Sequence, residues 1–315
     1  MSSKGSIVSV NISREKGTTK APVEEIILGR EGIESDAHSG SWHRQVSLLA
    51  QEQIDRFAAE FGRPVGPGEF AENITTQGVD LAGVCLLDRF TAGEALLEVT
   101  QIGKECHGTN CAIFREVGRC VMPKEGIFTR VLEGGRVRSG DRIEHLPQDL
   151  KVTIITLSDR AKSGQYTDRA GPKVRESLEE MLAGRRWRLA VETDLLPDDA
   201  ALLRDRLSTA RDQGADIVIT TGGTGVGPRD IAPDVAVELC DKLIPGIMDH
   251  IRLKYGQENP NALLSRSVAG VMSRADGQTL LYTLPGSVRA VAEYLAEITK
   301  TLEHLIFMIH GVDVH

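Results

Sequence analysis

Apolar positions follow two different rhythms along the chain. Up to about residue 145, short apolar strings alternate with turn signals: SIVSVNIS, ENITTQGVDL, ALLEVTQIG and RVRSGDRIE. Gly78, Gly93, Gly103, Gly134 and Gly140 punctuate them. Strings of this kind predict a β-rich fold of short strands. One helical stretch stands out between Leu49 and Phe61, where Ile54, Phe57, Ala58 and Phe61 share a face. The polar segment HLPQDLK, 145–151, carries Pro147 and predicts a linker. Domains are therefore expected over 1–147 and 151–315.

Beyond the linker, strands alternate with helices. KVTIITLS reads as a buried strand, and GPKVRESLEEMLAG as a helix with Val174, Leu178, Met181 and Leu182 on one stripe. RWRLAVET is a strand. DDAALLRDRLSTARDQG is a helix capped by Asp198 or Asp199 and closed by Gly214. ADIVITT and TLLYTLPG are further strands. A long helix over 288–309 keeps Val288, Val291, Leu295, Ile298, Leu302, Leu305 and Ile309 in register. This alternation implies an α/β fold, with a mostly parallel sheet and helices on both faces. Ligands of such sheets sit at the carboxyl ends of the strands.

Composition narrows the function. A net charge of -8 gives no general basic footprint for nucleic acid or an anionic membrane. No apolar run is long enough to span a bilayer, and the N-terminal residues lack a secretory apolar core. Five cysteines at irregular spacing argue for a reducing compartment, so a cytoplasmic location is expected.

The candidate chemistry lies in the strand-end loops of the second half. GGTGVG follows the strand DIVITT, and successive glycine N–H groups can form a concavity suited to phosphate. The spacing matches neither a Walker loop nor the dinucleotide fingerprint. A flexible strand-to-helix turn is the plainer reading. Asp230, which starts a predicted helix, and Asp198 in LLPDDA both stand at strand ends, where each could merely cap a helix. A carboxylate beside a phosphate nest needs a cation between them, and Mg²⁺ commonly bridges carboxylates and substrate phosphates. With Ser158, Asp159, Tyr166 and Asp168 after the first strand, three acid-bearing loops follow adjacent strand ends. A nucleotide–magnesium site accounts for them better than capping alone.

SDRAKSGQYTDRAG, LLPDD, TTGGTGVGPRD, LLSR and TLPGS together resemble the MogA/MoaB family of molybdenum-cofactor proteins over about 151–311. The resemblance implies a Rossmann-like α/β domain, typically a homotrimer. It implies molybdopterin adenylyltransferase activity: ATP and molybdopterin give adenylyl-molybdopterin and pyrophosphate, with Mg²⁺. Asp198 and Asp230 match the family's catalytic acids and would hold metal through substrate phosphates. Gly222, Gly223, Thr224 and Gly225 would donate N–H groups to phosphate. Ser158, Asp159 and Asp168 would lie near pterin and nucleotide, with Ser265 in LLSR among the binding residues. Pro285, Gly286 and Ser287 would surround base and ribose. Arg229 and Arg266 would offset phosphate charge, or form surface salt bridges. Two positions depart from the family pattern. Ala232 replaces a threonine in DIAP, and Val288 replaces a proline after the LPG glycine.

GIESDAHSGSWHRQVSLLAQEQID, FAENITTQGVDL, IGKECHGTNC and MPKEGIFTRVLEGGRVRSGD resemble the MOSC domain over about 5–145. That implies a β-rich, barrel-like fold that binds molybdenum cofactor or carries sulfur through one cysteine. Cys106 matches that position. Its neighbours Lys104 and His107 favour thiolate, which can carry sulfur or ligate molybdenum. The C-x₄-C-x₈-C spacing of Cys106, Cys111 and Cys120 is wider than structural zinc prefers. His38, Arg44 and Asn73, with Asp36, fall within the family motifs and would line the pocket. No lysine suits a Schiff base, so pyridoxal phosphate is not expected.

An enzyme is the leading reading. A cofactor carrier or insertion chaperone and a trimeric scaffold are the alternatives. Expected partners are a MoeA-type molybdenum insertase and molybdoenzyme clients. Fusing the halves raises the effective concentration of one product at the next site.

Overall fold

The computed structural model describes residues 2–105 and 120–313, in two compact units that divide between Gln148 and Asp149. The first unit contains β1 (Lys4–Ile12), β2 (Ala21–Val23), β3 (Glu25–Gly29), β4 (Gly32–Ile33), β5 (Val46–Ala50) and β6 (Ile74–Gln77). It continues with β7 (Arg89–Ala92), β8 (Ala95–Ile102), β9 (Ile127–Glu133), β10 (Gly135–Arg138) and β11 (Arg142–Leu146). Among the described residues, seven strands close on themselves in the order β11-β7-β8-β9-β5-β6-β1 and back to β11. Closure leaves no unpaired edge, and β2 extends from β1 outside the ring. Ile7, Leu48, Ile74, Phe90 and Leu97 are fully buried.

All barrel neighbours are antiparallel except β5 and β6. A parallel pair needs a crossover, and the Gln51–Phe61 helix provides it. Ile54 and Phe57 pack with Leu49, Phe70 and Met122. Phe61, expected on the same buried face, is instead 41% exposed. It is the last helical residue before the left-handed Gly62, so no further turn covers it, and its ring stacks on Phe57 at 4.4 Å. Within RVRSGDRIE the turn signal at Gly140 separates two strands. Gly140 turns the chain at positive φ, so that β10 pairs with β3 while β11 enters the barrel. Strand also runs well into 145–151. His145 is buried in β11, with its Nε2 2.7 Å from Asp88.

In the second unit, β12 (Leu150–Leu157), β13 (Leu189–Leu196) and β14 (Ile217–Thr221) are followed by β15 (Lys242–Leu243), β16 (Ala269–Arg274) and β17 (Gly277–Leu284). The sheet order is β13-β12-β14-β17-β16-β15. The first four strands are parallel, β16 runs antiparallel to β17, and β15 pairs antiparallel with β16. Ile155, Leu157, Val218 and Leu281 turn one way, onto Leu203 and Leu207 of the Ala200–Asp212 helix and Val235 of the Ala232–Leu239 helix. The Ala170–Ala183 and Val288–Ile309 helices pack on each other and against β12 and β17. Val288, expected in the buried stripe, opens its helix at 37% exposure.

The chain steps outward from β12 to β13, then crosses back to β14. That reversal makes a crevice at the carboxyl ends of the strands. Register levels those ends: Leu157 faces Leu196, Thr156 faces Thr221, and Thr221 faces Leu284.

One ion cluster ties the Pro245–Gly256 helix to the long terminal helix. Glu297, 6% exposed, accepts from Lys254 at 2.6 Å and Lys300 at 2.7 Å, with His250 at 3.0 Å. The Lys254 and Lys300 bonds hold its carboxyl at about 2, against an ordinary 4.5. A depressed carboxyl stabilises the fold when ionised. The contribution is complete above the ordinary pKa and is lost as pH falls towards the folded value. Glu297→Gln is therefore expected to lower Tm by roughly 2–4 °C at pH 7. Thermal melts across pH 2–7 should show the difference from wild type shrinking on the acid side.

Candidate active site

Four strand ends enclose a cavity of about 620 Å³. The loop after β12 supplies Ser158 and Asp159, and the loop after β13 supplies Asp198. Gly222, Gly223, Arg229 and Asp230 come from the loop after β14, and Gly286 and Ser287 from the loop after β17. Asp168 lines the cavity as well. Asp198 and Asp230, 32 positions apart in the chain, thus line one cavity.

The capping roles that could have explained these acids are filled by other groups. Asp199 caps the Ala200–Asp212 helix, accepting from the N–H groups of Ala201 and Leu202. The next helix starts at Ala232 with Ile231 as an uncapped N-cap, so Asp230 does not cap it. Asp230 instead accepts from Gly227 N–H at 2.8 Å, closing its own loop. Asp159 accepts from Asp198 N–H at 3.0 Å and lies 3.2 Å from Arg229. Burial raises the pKa of Asp198, and the charges of Asp159 and Asp230 raise it further. A hydrogen bond from the Asp159 backbone and the charge of Arg229 pull the other way. Hard carboxylate oxygens that repel one another suit a hard divalent cation. Among the described residues, no three His, Cys, Asp or Glu side chains gather into a metal-holding group. A cation here would meet these carboxylates and the oxygens of a ligand or water.

The glycines divide the work differently from a uniform phosphate nest. Gly222 has φ +100°, and a Cβ there would lie 2.3 Å from the Leu157 carbonyl oxygen. Its N–H is spent on the Leu284 carbonyl at 2.9 Å, so Gly222 binds the sheet rather than offering a donor. Gly225 makes room for an acid, since a Cβ there would lie 2.7 Å from the Asp230 carboxylate.

Other expected residues take structural positions. Ser158 and Ser287 cap the Asp159–Lys162 and Val288–Ile309 helices. Asp168 accepts from Thr156 at 2.8 Å and from the Ala170 and Gly171 N–H groups. Thr224, Gly225, Ser265 and Pro285 line a separate cavity of about 250 Å³. Arg266 does not reach the main cavity. Its guanidinium bonds the carbonyls of Gly225 and Asp230 and the carboxylate of Asp234.

Thr221 ends a strand and falls within the TTGGTGVGPRD motif. It is fully buried and lines the cavity, and its hydroxyl has no partner among the described residues. A buried orphan hydroxyl costs about 1–3 kcal/mol, so a ligand that bonds it gains accordingly. A β-branched residue ending a strand carries no sequence signal for this role.

In the first unit, Cys106, His107 and Cys111 lie outside the described residues. Asp36 and Lys20 form a buried ion pair. Burial would raise the Asp36 carboxyl, but hydrogen bonds from His38 and Lys20 outweigh it and hold it low. Asn73 joins this network as a structural node. Its amide accepts from Ser47 and donates to Asp36 and the Asn11 carbonyl, which leaves little for a ligand. His38 stacks on Trp42, and the Arg44 guanidinium stands 4.7 Å over the same ring. Burial, then the charge of Arg44, lowers the pKa of His43.

Residues 153–304 match the family model described as a probable molybdopterin binding domain, and 35–144 match the MOSC domain. A molybdopterin adenylyltransferase of Helicobacter pylori strain J99 is 30% identical, covering 52% of this chain and 90% of that protein. One of Haemophilus influenzae is 35% identical, covering 46% and 71%. Among solved structures, the molybdopterin biosynthesis enzyme MoaB of Thermus thermophilus is 34% identical, with a TM-score of 0.45, covering 51% of this chain and 97% of that one.

Two substitutions probe the site without ligand. Thr221→Val removes an unpartnered hydroxyl, so Tm should stay level or rise, by up to about 1 kcal/mol of stability. A clear fall would mean the hydroxyl is bonded. A raised carboxyl opposes folding once ionised, so its penalty appears as pH rises through the folded pKa. Asp198→Asn should therefore match or exceed the wild-type Tm at pH 7, with the gain absent near pH 3.

Proposed function

The chain belongs to the molybdopterin-binding family of the molybdopterin adenylyltransferases, and from that membership we propose that it transfers the adenylyl group of ATP to molybdopterin. The observation that carries this reading is the convergence of Asp198 and Asp230, neither used as a helix cap, on one strand-end cavity beside a glycine loop.

An oxygen of the pterin's terminal phosphate forms a bond to the α-phosphorus of ATP. The bond from that phosphorus to the bridging oxygen breaks, and pyrophosphate leaves with the electron pair. Such transfers depend on positioning and charge neutralisation. Asp198 and Asp230 would hold Mg²⁺ through substrate phosphates, and the ion supplies positive charge against the phosphate oxygens. Gly223 offers its backbone to phosphate, and Arg229, 75% exposed and paired with Asp159, offers a cation. Gly286 and Ser287 bound the space for the nucleotide.

The MOSC half is read as the part that binds cofactor or carries sulfur. Leu253, Leu263 and Leu264, each more than half exposed, support self-association of the second unit, in keeping with a homotrimer.

The full chain with molybdopterin, ATP and Mg²⁺ is expected to release pyrophosphate and form adenylyl-molybdopterin. Asp230→Asn and Asp198→Asn should each lower that rate about 100-fold or more, with Tm preserved. Binding of both substrates without turnover would point to a carrier instead. Because Asp198 must be ionised and its pKa is raised in the free site, the acid limb of kcat/KM should lie above the 3.8 of an ordinary aspartate. A limb at or below that value would remove Asp198 from the catalytic set.

A further inference from the structure

The cavity extends beyond the acids. A second lobe of about 670 Å³ opens beside it, and the two share Tyr166, Asp168, Gly286 and Ser287. The lobes differ in chemistry. Asp159, Asp198 and Asp230 line the first, whereas Arg169 and Val288 help to wall the second. Tyr166 stands at the seam, 46% exposed.

That exposed ring is held in place. Arg169 donates from Nε at 3.1 Å and from Nη2 at 3.0 Å to the Tyr166 hydroxyl, and its guanidinium carbon lies 5.5 Å from the ring centroid. The Tyr166 N–H bonds the Arg160 carbonyl at 3.2 Å. Two residues later, Asp168 is anchored to Thr156 and to the start of the Ala170–Ala183 helix. The segment is thus tied on both sides of the ring. A pre-set aromatic face beside an open lobe suits a planar heterocycle, because stacking needs the ring's angle fixed before the ligand arrives.

A reaction that joins two phosphate-bearing substrates must seat two ring systems while both phosphates meet at one place. The acidic lobe with its glycine loop suits the phosphates. We infer that Tyr166 is a substrate-binding residue whose ring stacks on the fused nitrogen heterocycle of one of the two substrates, with Arg169 as the positioning residue that sets the ring's angle. This rests on the adenylyl-transfer reading of the same site. Purine and pterin share the relevant chemistry, a flat fused bicycle carrying phosphate on one side.

The test uses the full chain with Tyr166→Leu, Tyr166→Phe and Arg169→Gln, each checked for an unchanged Tm. Tyr166→Leu should raise KM about tenfold for one substrate only, ATP or molybdopterin, with kcat within about twofold. Tyr166→Phe, which keeps the aromatic face, should stay within about threefold of wild type. Arg169→Gln should raise the same KM by a smaller factor. Calorimetric titration of ATP and of molybdopterin separately reads the same preference without turnover. Normal KM values in Tyr166→Leu, or a phenylalanine variant as impaired as the leucine one, overturn the inference while leaving adenylyl transfer standing. If wild type binds a substrate without turnover, the activity reading fails alone, and titration of Tyr166→Leu still decides the stacking. If wild type binds neither substrate, both fail.

Discussion

The second unit is organised around a repulsion. Asp159, Asp198 and Asp230 come from three loops that a level row of strand ends brings together, and their charges act on one another. None of the three serves as a helix N-cap, since the neighbouring helix starts are capped by Ser158 and Asp199 or begin uncapped. The fold meets the cost with local measures. Arg229 leans on Asp159, the Gly227 N–H bonds Asp230, and glycine at 225 leaves space for the Asp230 carboxylate. The remaining imbalance is what a cationic or cation-bearing ligand relieves. If Asp198 acts in the proposed adenylyl transfer, stability and activity pull on it in opposite directions, a common arrangement where a site is built for charge that arrives later.

Much of this was legible because the relevant signals are local. The change from short strings to alternating strands and helices reflects side-chain periodicity, which survives without tertiary information. Asp198 just after an apolar run, and Asp230 at the end of the glycine loop that follows another, stood out because strand ends are where an α/β sheet exposes its loops. Other features depend on contacts between distant segments. Thr221 reads as an ordinary β-branched residue until the cavity beside it is known. Gly222 and Gly225 look like equivalent donors, yet one fits against a carbonyl of β12 and the other makes room for a carboxylate. Arg266 has the charge expected of a phosphate ligand but is drawn into the loop by carbonyls that only the folded chain presents.

The first unit illustrates the same limit. Its motifs mark Asp36, His38 and Asn73, and all three converge on one buried network. Within it, Lys20 pairs with Asp36 in the interior, where removing either partner would strand a charge. Asn73 uses its amide to bind β5 to β1, so its presence in a motif reflects construction as much as ligand contact.

The Arg266 clamp bears on how tightly the site can hold its substrates. One guanidinium and one backbone N–H fasten Thr224, Gly225, Asp230 and Asp234 together across the neck of the glycine loop. A loop this rich in glycine would otherwise sample many shapes, and a ligand would have to select one at an entropic penalty. Here the freezing is completed during folding, so attraction to a phosphate group can appear as affinity instead of being consumed in arranging the receptor.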